Sequence, residues 1–336
     1  MEPMTTTTKR TVTREELLDL CDSVLNHCEA DTMTGELSNM AGVLIAKAAT
    51  IASDKGLEYN TTYKNGTWEY TLDKLGKWLL DLSKFEKQAL QATPFTIFTK
   101  GNSKLPFYNF STLPLVTCSG FGECGNWCYS LKAWRYPNAY ARQLMNTILL
   151  QIETDYCGSY DYTPITDAFN SLPSGSTFRL YVDGDFANTH QISYWFHRLN
   201  QRPDIMAYGY TKSWADVLEW FTMAGVNDWD VPTNYVLNLS NGSRYDDDDD
   251  MREAMEQLPI TRGEFVAVPV HGNYAAGFAK ADDKAYHAEV REVARKLYPD
   301  RPVFSCPLQC GSCTAGTAAC ADGVRFDNVV VAIGLH

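Results

Sequence analysis

The sequence predicts an α/β protein. It reads as a partial or distorted (β/α)6-type, TIM-barrel-like fold over residues 99–336, preceded by a mostly helical appendage with a β-hairpin over residues 1–98. Three observations predict this. After about residue 100, short β-rich runs alternate with helical stretches, the rhythm of βαβ units on a parallel sheet. Before it, apolar residues recur at helical spacing. The length, 336 residues, suits one large domain of barrel size or a core with a smaller appendage.

Residues 1–12 read as a flexible tail. Thr13 and Glu16 have capping-box spacing and open a helix through about Cys28. Cys21 and Cys28 fall on its apolar face, which reads as small buried hydrophobes. A second helix is predicted over 38–52. Tyr59, Thr61 and Tyr63, then Asn65-Gly66, then Trp68 and Tyr70, read as a β-hairpin with a tight turn. Leu72, Leu75, Leu79 and Leu82 mark another amphipathic helix that ends before Pro94. Beyond it the predicted strands are 113–117, 178–182, 205–211, 235–239, 265–270 and 329–333. Predicted helices lie at about 136–155, 190–201, 213–224, 248–257 and 280–297. In barrels of this kind functional residues sit in the loops at the carboxyl ends of the strands.

Charge and hydropathy exclude some functions. The net charge is −12, and there is no long Lys/Arg run, so general nucleic-acid binding through phosphate neutralisation is not expected. Lys132, Arg135 and Arg142 are a local basic patch. No apolar run approaches the roughly 18–20 residues of a spanning helix, so no membrane association is expected. The Thr-rich start lacks the apolar core of a signal peptide, and a cytoplasmic location is expected. Ten cysteines in a reducing compartment then call for an explanation other than disulfides, and metal binding is the usual one. The run Asp246–Asp250 reads as a solvated loop that also favours the N-terminus of the following helix.

Seven cysteines form two groups. Cys118, Cys124 and Cys128 have C-x5-C-x3-C spacing in a loop with Gly120, Gly122 and Gly125. The glycines let backbone wrap closely around a bound group. Three thiolates in so short a loop fit three corners of a [4Fe–4S] cluster and leave one iron open. Trp127 and Tyr129 stand ready to shield it. Cys306, Cys310, Cys313 and Cys320 have C-x3-C-x2-C-x6-C spacing before the last strand. Four thiolates close a complete site, either [4Fe–4S] or zinc, and C-x2-C belongs to zinc sites too. The first group tips the balance to iron, because its spacing is odd for zinc. Cys157 stands alone, as a buried thiol or as a fourth ligand to the first group.

Polar residues gather at the ends of the predicted strands. Asp183 and Asp185 flank Gly184, either as site residues or as caps for the following helix. Tyr208, Tyr210 and Lys212 share one face at period two. Ser240 ends the fourth strand and His271 the fifth. Asp183, Asp185, Tyr210, Lys212 and His271 are the catalytic candidates, and Gly184, Asp185 and Ser240 the candidates for holding a cofactor.

These motifs resemble the phage "gene product 88" family of uncharacterised proteins. The likeness runs from about Asn102 to His336 and rests on Leu105-Pro106, the loop ending Gly125-Asn126-Trp127-Cys128-Tyr129, the strands from Phe178 to Phe186 and from Ala207 to Ser213, and the closing cysteines. It implies a bacteriophage source and the host cytoplasm. A more distant likeness is to radical S-adenosylmethionine enzymes, which have a partial (β/α)6 barrel and a three-cysteine loop after the first strand. That resemblance gives Cys118, Cys124 and Cys128 the loop role, gives Gly184 and Asp185 the second-strand motif, and makes the later cysteines an auxiliary cluster. Those enzymes favour C-x3-C-x2-C, so the C-x5-C-x3-C here departs from their pattern.

The expectation is therefore a protein with two iron–sulfur clusters, each of the [4Fe–4S] type. It would be a radical-SAM-like redox enzyme that binds S-adenosylmethionine and takes a small-molecule substrate or an electron donor. The alternatives are a non-catalytic iron–sulfur protein for electron transfer or structure, and a zinc-braced protein that acts on a host partner.

Overall fold

A computed structural model describes residues 32–56, 68–84, 93–101, 105–155, 163–271, 283–311, 313 and 318–335. The helix expected from Thr13, residues 59–63 and the Asn65-Gly66 turn of the expected hairpin, and Cys21, Cys28 and Cys157 lie outside these residues. The described residues hold nine α-helices and an eight-stranded sheet. They divide into two compact units.

The first unit takes the described residues of Met1–Ile97, Thr112–Val116 and Tyr129–Ala168. Its helices are α1 (Thr32–Asp54), α2 (Trp68–Lys84) and α4 (Pro137–Asp155), with a 3-10 turn at Tyr129–Arg135. Ala41, Leu44, Ile45, Ala48 and Ala52 of α1 and Leu75, Trp78, Leu79 and Leu82 of α2 are buried, a helical stripe on each. Trp68 and Tyr70, expected in a hairpin strand, begin α2 instead. The period of Leu75, Leu79 and Leu82 extends back over them and overrides their local β preference. Helix α4 is buried on nearly every side through its middle, so its polar residues need partners. Gln143 accepts from the Trp134 indole at 2.8 Å, and Thr147 accepts from the Leu113 amide at 3.0 Å. The buried Glu153 carboxylate accepts the Ile165 and Thr166 amides and so caps the short helix α5 (Pro164–Asn170).

The second unit holds β1 (Thr99–Lys100), β2 (Tyr108–Asn109), β3 (Thr177–Leu180), β4 (Met206–Thr211), β5 (Tyr235–Ser240), β6 (Thr261–Val268), β7 (Val303–Ser305) and β8 (Val330–Gly334). Its helices include α3 (Cys124–Trp127), α6 (Thr189–Gln201), α7 (Trp214–Thr222), α8 (Asp249–Glu256) and α9 (Lys284–Leu297). The sheet order is β1-β2-β3-β4-β5-β6-β8-β7. Every neighbour pair is parallel except β1–β2. The expected βα rhythm is thus present in a parallel sheet, whose pairing runs from β1 at one edge to β7 at the other.

Two strand assignments need correction. Residues 113–117 form turns rather than a strand, and Leu115 has φ 62°. The strand that pairs with β3 lies earlier, at Tyr108–Asn109. Leu113 had looked like strand because it is apolar, but its amide is taken by the Thr147 hydroxyl rather than by a ladder. The second correction is β7, an unexpected edge strand of three residues. It sits outside β8, so the chain passes over one strand position and fills it later.

The sheet has two chemically different faces. Val266, Val268, Val330 and Ala332 pack under Tyr286, Val290 and Ala294 of α9. On the same sheet, Tyr208 and Val331 pack with Cys320, Ala318 and Ala321, and Tyr210, Val236, Phe265, Cys306 and Cys313 join them. The long β7–β8 connection therefore covers the second face with its cysteines, as residue alternation along the strands permits.

Candidate functional site

The site begins where β3 ends. Tyr181 has φ 54°, an uncommon conformation for a bulky residue and a sign of local strain. It is held there by its hydroxyl, which donates to Gln191 at 3.1 Å and accepts from the Trp195 indole at 3.2 Å. Gly184 follows with φ 83°. The turn delivers Asp185 into the interior, 4% exposed.

Asp185 joins three chain segments. Its carboxylate accepts from its neighbour's Phe186 amide at 2.8 Å, the Thr211 hydroxyl at 2.9 Å and the Lys212 amide at 2.7 Å. Its own amide donates to Thr117 Oγ1, at 3.3 Å, just before the first cysteine loop. Burial raises its pKa, and the donated hydrogen bonds and the Lys212 charge oppose that rise. Capping of α6, the other role open to Asp183 or Asp185, belongs to Asn188, whose side chain accepts from the Gln191 amide. The Asp183 amide donates to Ser111.

The first cysteine loop is fastened to the ends of β4 and β5 by backbone. The amides of Gly122 and Cys124 both donate to the Gly242 carbonyl, at 3.0 and 3.1 Å. The Arg244 amide donates to the Gly120 carbonyl at 3.0 Å, and Phe121 bridges Ser243. Ser243 Oγ donates to the carbonyls of Gly120 and Lys212. Ser119 is joined to Asp216 of α7. These close approaches explain the glycines. A Cβ on Gly120 would overlap the Lys212 carbonyl, and one on Gly122 would lie 2.6 Å from the Arg244 amide. Gly242, with φ 81°, has room only for hydrogen, because a Cβ would meet Cys124 and Trp127 at 2.7 Å.

That loop presents Cys124 buried and Cys118 and Cys128 half-buried. Burial raises the Cys124 pKa, and the Lys212 charge lowers it. Lys212 Nζ donates to Ser240 Oγ at 2.7 Å. The structure thus brings Asp185, Lys212, Ser240 and the cysteine loop together. His271 is exposed beyond β6, and its amide donates to Glu289 of α9. Among the described residues it shares no hydrogen bond with this network.

The second cysteine group lies on the second face of the sheet. The Cys306 amide continues the β7–β8 ladder to the Ala332 carbonyl at 2.8 Å. Leu308 (φ 63°) and Gly311 (φ 82°) then turn the loop through left-handed backbone, and a backbone hydrogen bond at Leu308 favours the ionised Cys306. Such turns aim amides at anions. The Ala319 amide donates to the Cys313 sulfur at 3.3 Å. Cys320 is buried in the 3-10 turn Ala319–Ala321. Burial pushes its thiol up to about 11, against the pull of the Arg262 charge and a hydrogen bond from Tyr210. Burial likewise holds Cys306 far above the usual thiol range, with Cys320, Cys310 and Cys313 adding to the rise. Cys310 and Cys313 thus lie within electrostatic reach of both Cys306 and Cys320.

Two features here stand out: Arg262, which was not singled out from sequence, and the hydroxyl of Tyr208, which was noted only for its strand face. Arg262 is 2% exposed. It donates to Asn238 Oδ1 at 2.6 Å and to the carbonyls of Phe326, Val329 and Glu264 at 2.8–2.9 Å. No carboxylate pairs with it among the described residues, and Asn238 passes on the contact by donating to the Cys320 carbonyl at 3.0 Å. Burial disfavours the charged guanidinium and the Asp327 charge offsets this only in part, so a further anion beside it would be stabilising. The second feature is the Tyr208 hydroxyl, which is buried and has no hydrogen-bond partner. An orphan of this kind costs about 1–3 kcal/mol. Both features suit a site whose thiols become anionic on binding metal. The sequence signal was an arginine inside an otherwise strand-like run.

Among the described residues, no three His, Cys, Asp or Glu groups converge closely enough to hold a single metal ion. No described helix is long and apolar enough to cross a membrane. Asp248 accepts the Met251 amide and caps α8, with Asp249 and Asp250 in the first turn, so the acidic run serves that helix as expected.

Fold and site together define a parallel α/β protein with two cysteine groups, one at the carboxyl ends of β4 and β5 and one across a sheet face. The chain belongs to the gene product 88 family of phage proteins, whose model matches residues 80–323. The match takes in both cysteine groups. No curated protein matches the chain. No solved structure matches it either. The likeness to radical S-adenosylmethionine enzymes gains no support from these comparisons.

Proposed function

We propose that this protein is a cytoplasmic iron–sulfur protein with two cluster sites. Cys306, Cys310, Cys313 and Cys320 would hold one cluster completely. Cys118, Cys124 and Cys128 would hold the other by three corners and leave one iron open. The observation that carries this reading is the grouping of four cysteines against a buried guanidinium, Arg262, that has no carboxylate partner among the described residues. Four thiolates around a cluster would add negative charge beside it.

The spacing of the first group favours a cluster over zinc, because C-x5-C-x3-C is odd for a structural zinc site.

The finer part of the proposal is radical-type redox chemistry at the open iron, with S-adenosylmethionine as the cofactor. Lys212, Ser240 and Asp185 are the polar groups that support it, because they sit beside the three-cysteine loop. A lysine ammonium there would bind a carboxylate or phosphate. The buried Asp185 would hold the Lys212 backbone in place.

Oxygen-free purification with iron, sulfide and zinc analysis tests the first part. Several equivalents of iron and sulfide per chain, with broad absorption near ~400 nm, are expected. A colourless protein with one or two zinc ions would overturn it. Titration of S-adenosylmethionine into the reduced protein tests the second part: the EPR signal of the open cluster should change, and no change at millimolar ligand rejects it.

A further inference from the structure

The second cysteine site is lined by donors that the cysteine spacing does not require. Tyr208 and Tyr210 lie two residues apart on β4 and so project from the same face. Both rings pack into the cluster of residues that contains Cys306, Cys313 and Cys320. The rings meet edge to face, with centroids 6.1 Å apart. Arg179 lies over the Tyr210 ring at 4.7 Å, adding a second cation at this face. The Tyr208 hydroxyl is buried without a hydrogen-bond partner, and Cys310 and Cys320 are among the groups that perturb it. Arg262 reaches the Cys320 backbone through Asn238.

We propose that Tyr208, Tyr210 and Arg262 set the reduction potential of the group held by Cys306, Cys310, Cys313 and Cys320, raising it by hydrogen-bond donation and fixed positive charge. This rests on the iron–sulfur reading. The step is the uptake of one electron from a low-potential one-electron carrier; no bond forms or breaks, and no proton moves. The reduced cluster carries one more negative charge than the oxidised one. A phenol O–H aimed at a sulfur and a guanidinium nearby both stabilise that extra charge. The unsatisfied Tyr208 hydroxyl would find its acceptor in a cluster or thiolate sulfur. The three residues act through the cluster as positioning residues.

The test is an EPR-monitored redox titration of the second cluster. It is made in protein carrying Cys118→Ala and Cys128→Ala, so that the first loop contributes no signal. Tyr208→Phe and Tyr210→Phe should each make reduction about tenfold less favourable, a drop of 59 mV for one electron. Arg262→Lys keeps the charge and should shift the potential less than either. Iron and sulfide content, measured on the same samples, should stay at the parent level. An unchanged potential in both tyrosine variants with an intact cluster overturns the inference and leaves the iron–sulfur reading standing. Loss of the cluster from one tyrosine variant passes the decision to the other. Loss from both makes the pair scaffold and overturns the inference. Absence of iron and sulfide from the unsubstituted protein overturns the iron–sulfur reading itself.

Discussion

The two cysteine regions are built differently. The loop of Cys118, Cys124 and Cys128 is held by its backbone, which exchanges hydrogen bonds with Gly242 and Arg244 and is crossed by the Ser243 hydroxyl. Its glycines are there because neighbouring backbone leaves no room for a side chain. The second group is tied by the Cys306 amide to the Ala332 carbonyl and by the Asn238 side chain, itself held by Arg262, to the Cys320 carbonyl, against two tyrosines. The first arrangement places thiols at strand ends, with Cys124 buried and Cys118 and Cys128 half-buried. The second sets them against a sheet face, with Cys320 buried and Cys306, Cys310 and Cys313 half-buried.

Substitutions in the two regions should therefore fail differently. The largest effect is expected for Arg262→Met. It leaves Asn238 Oδ1 and three carbonyls without their donor, and should cost about 3–5 kcal/mol in urea denaturation. A loss below about 1 kcal/mol would mean that side chains do not brace the second region. Next comes Gly120→Ala in the first loop, where the new methyl group would overlap the Lys212 carbonyl. Overpacking against backbone should cost about 3 kcal/mol, read by the same method.

Asp185→Asn should follow, at about 2 kcal/mol, because one carboxamide cannot accept from Thr211, Lys212 and Phe186 as the carboxylate does. If the Asp185 network positions Lys212, this variant should also weaken S-adenosylmethionine binding while leaving the second cluster's EPR signal unchanged. The smallest effect is expected at Gly311 in the second region. Its φ is 82°, but a Cβ there would make only ordinary contacts at 3.5 Å with Phe107 and Pro106. Gly311→Ala should cost about 1 kcal/mol, the strain of left-handed backbone alone. A cost equal to that of Gly120→Ala would erase the distinction between the two loops.

Much of this architecture was legible in the residues. The helices near 137–155, 189–201 and 284–297 and the strands from Thr177 onward, β7 apart, follow the predicted rhythm. Apolar period is a local signal, and a parallel sheet buried on both faces reinforces it. The gathering of Asp185, Lys212 and Ser240 was also legible, because strand-end position and period two place side chains. Two things were not. Residues 113–117 read as strand, yet the Leu113 amide goes to Thr147. Trp68 and Tyr70 read as hairpin, yet they open a helix.

By itself the sequence determined the alternation of strands and helices, the two cysteine groups and the need for glycine near them. These depend on neighbours within a few residues along the chain. Only the tertiary structure decided that β8 slips between β6 and β7, and that Cys306, Cys313 and Cys320 pack on the sheet face of Tyr208 and Val331. It alone showed that Arg262 and the Tyr208 hydroxyl are buried beside the cysteines. Pairing and burial of that kind join residues dozens of positions apart, as Asn238 and Cys320 show, and no local pattern records which distant partner each will meet.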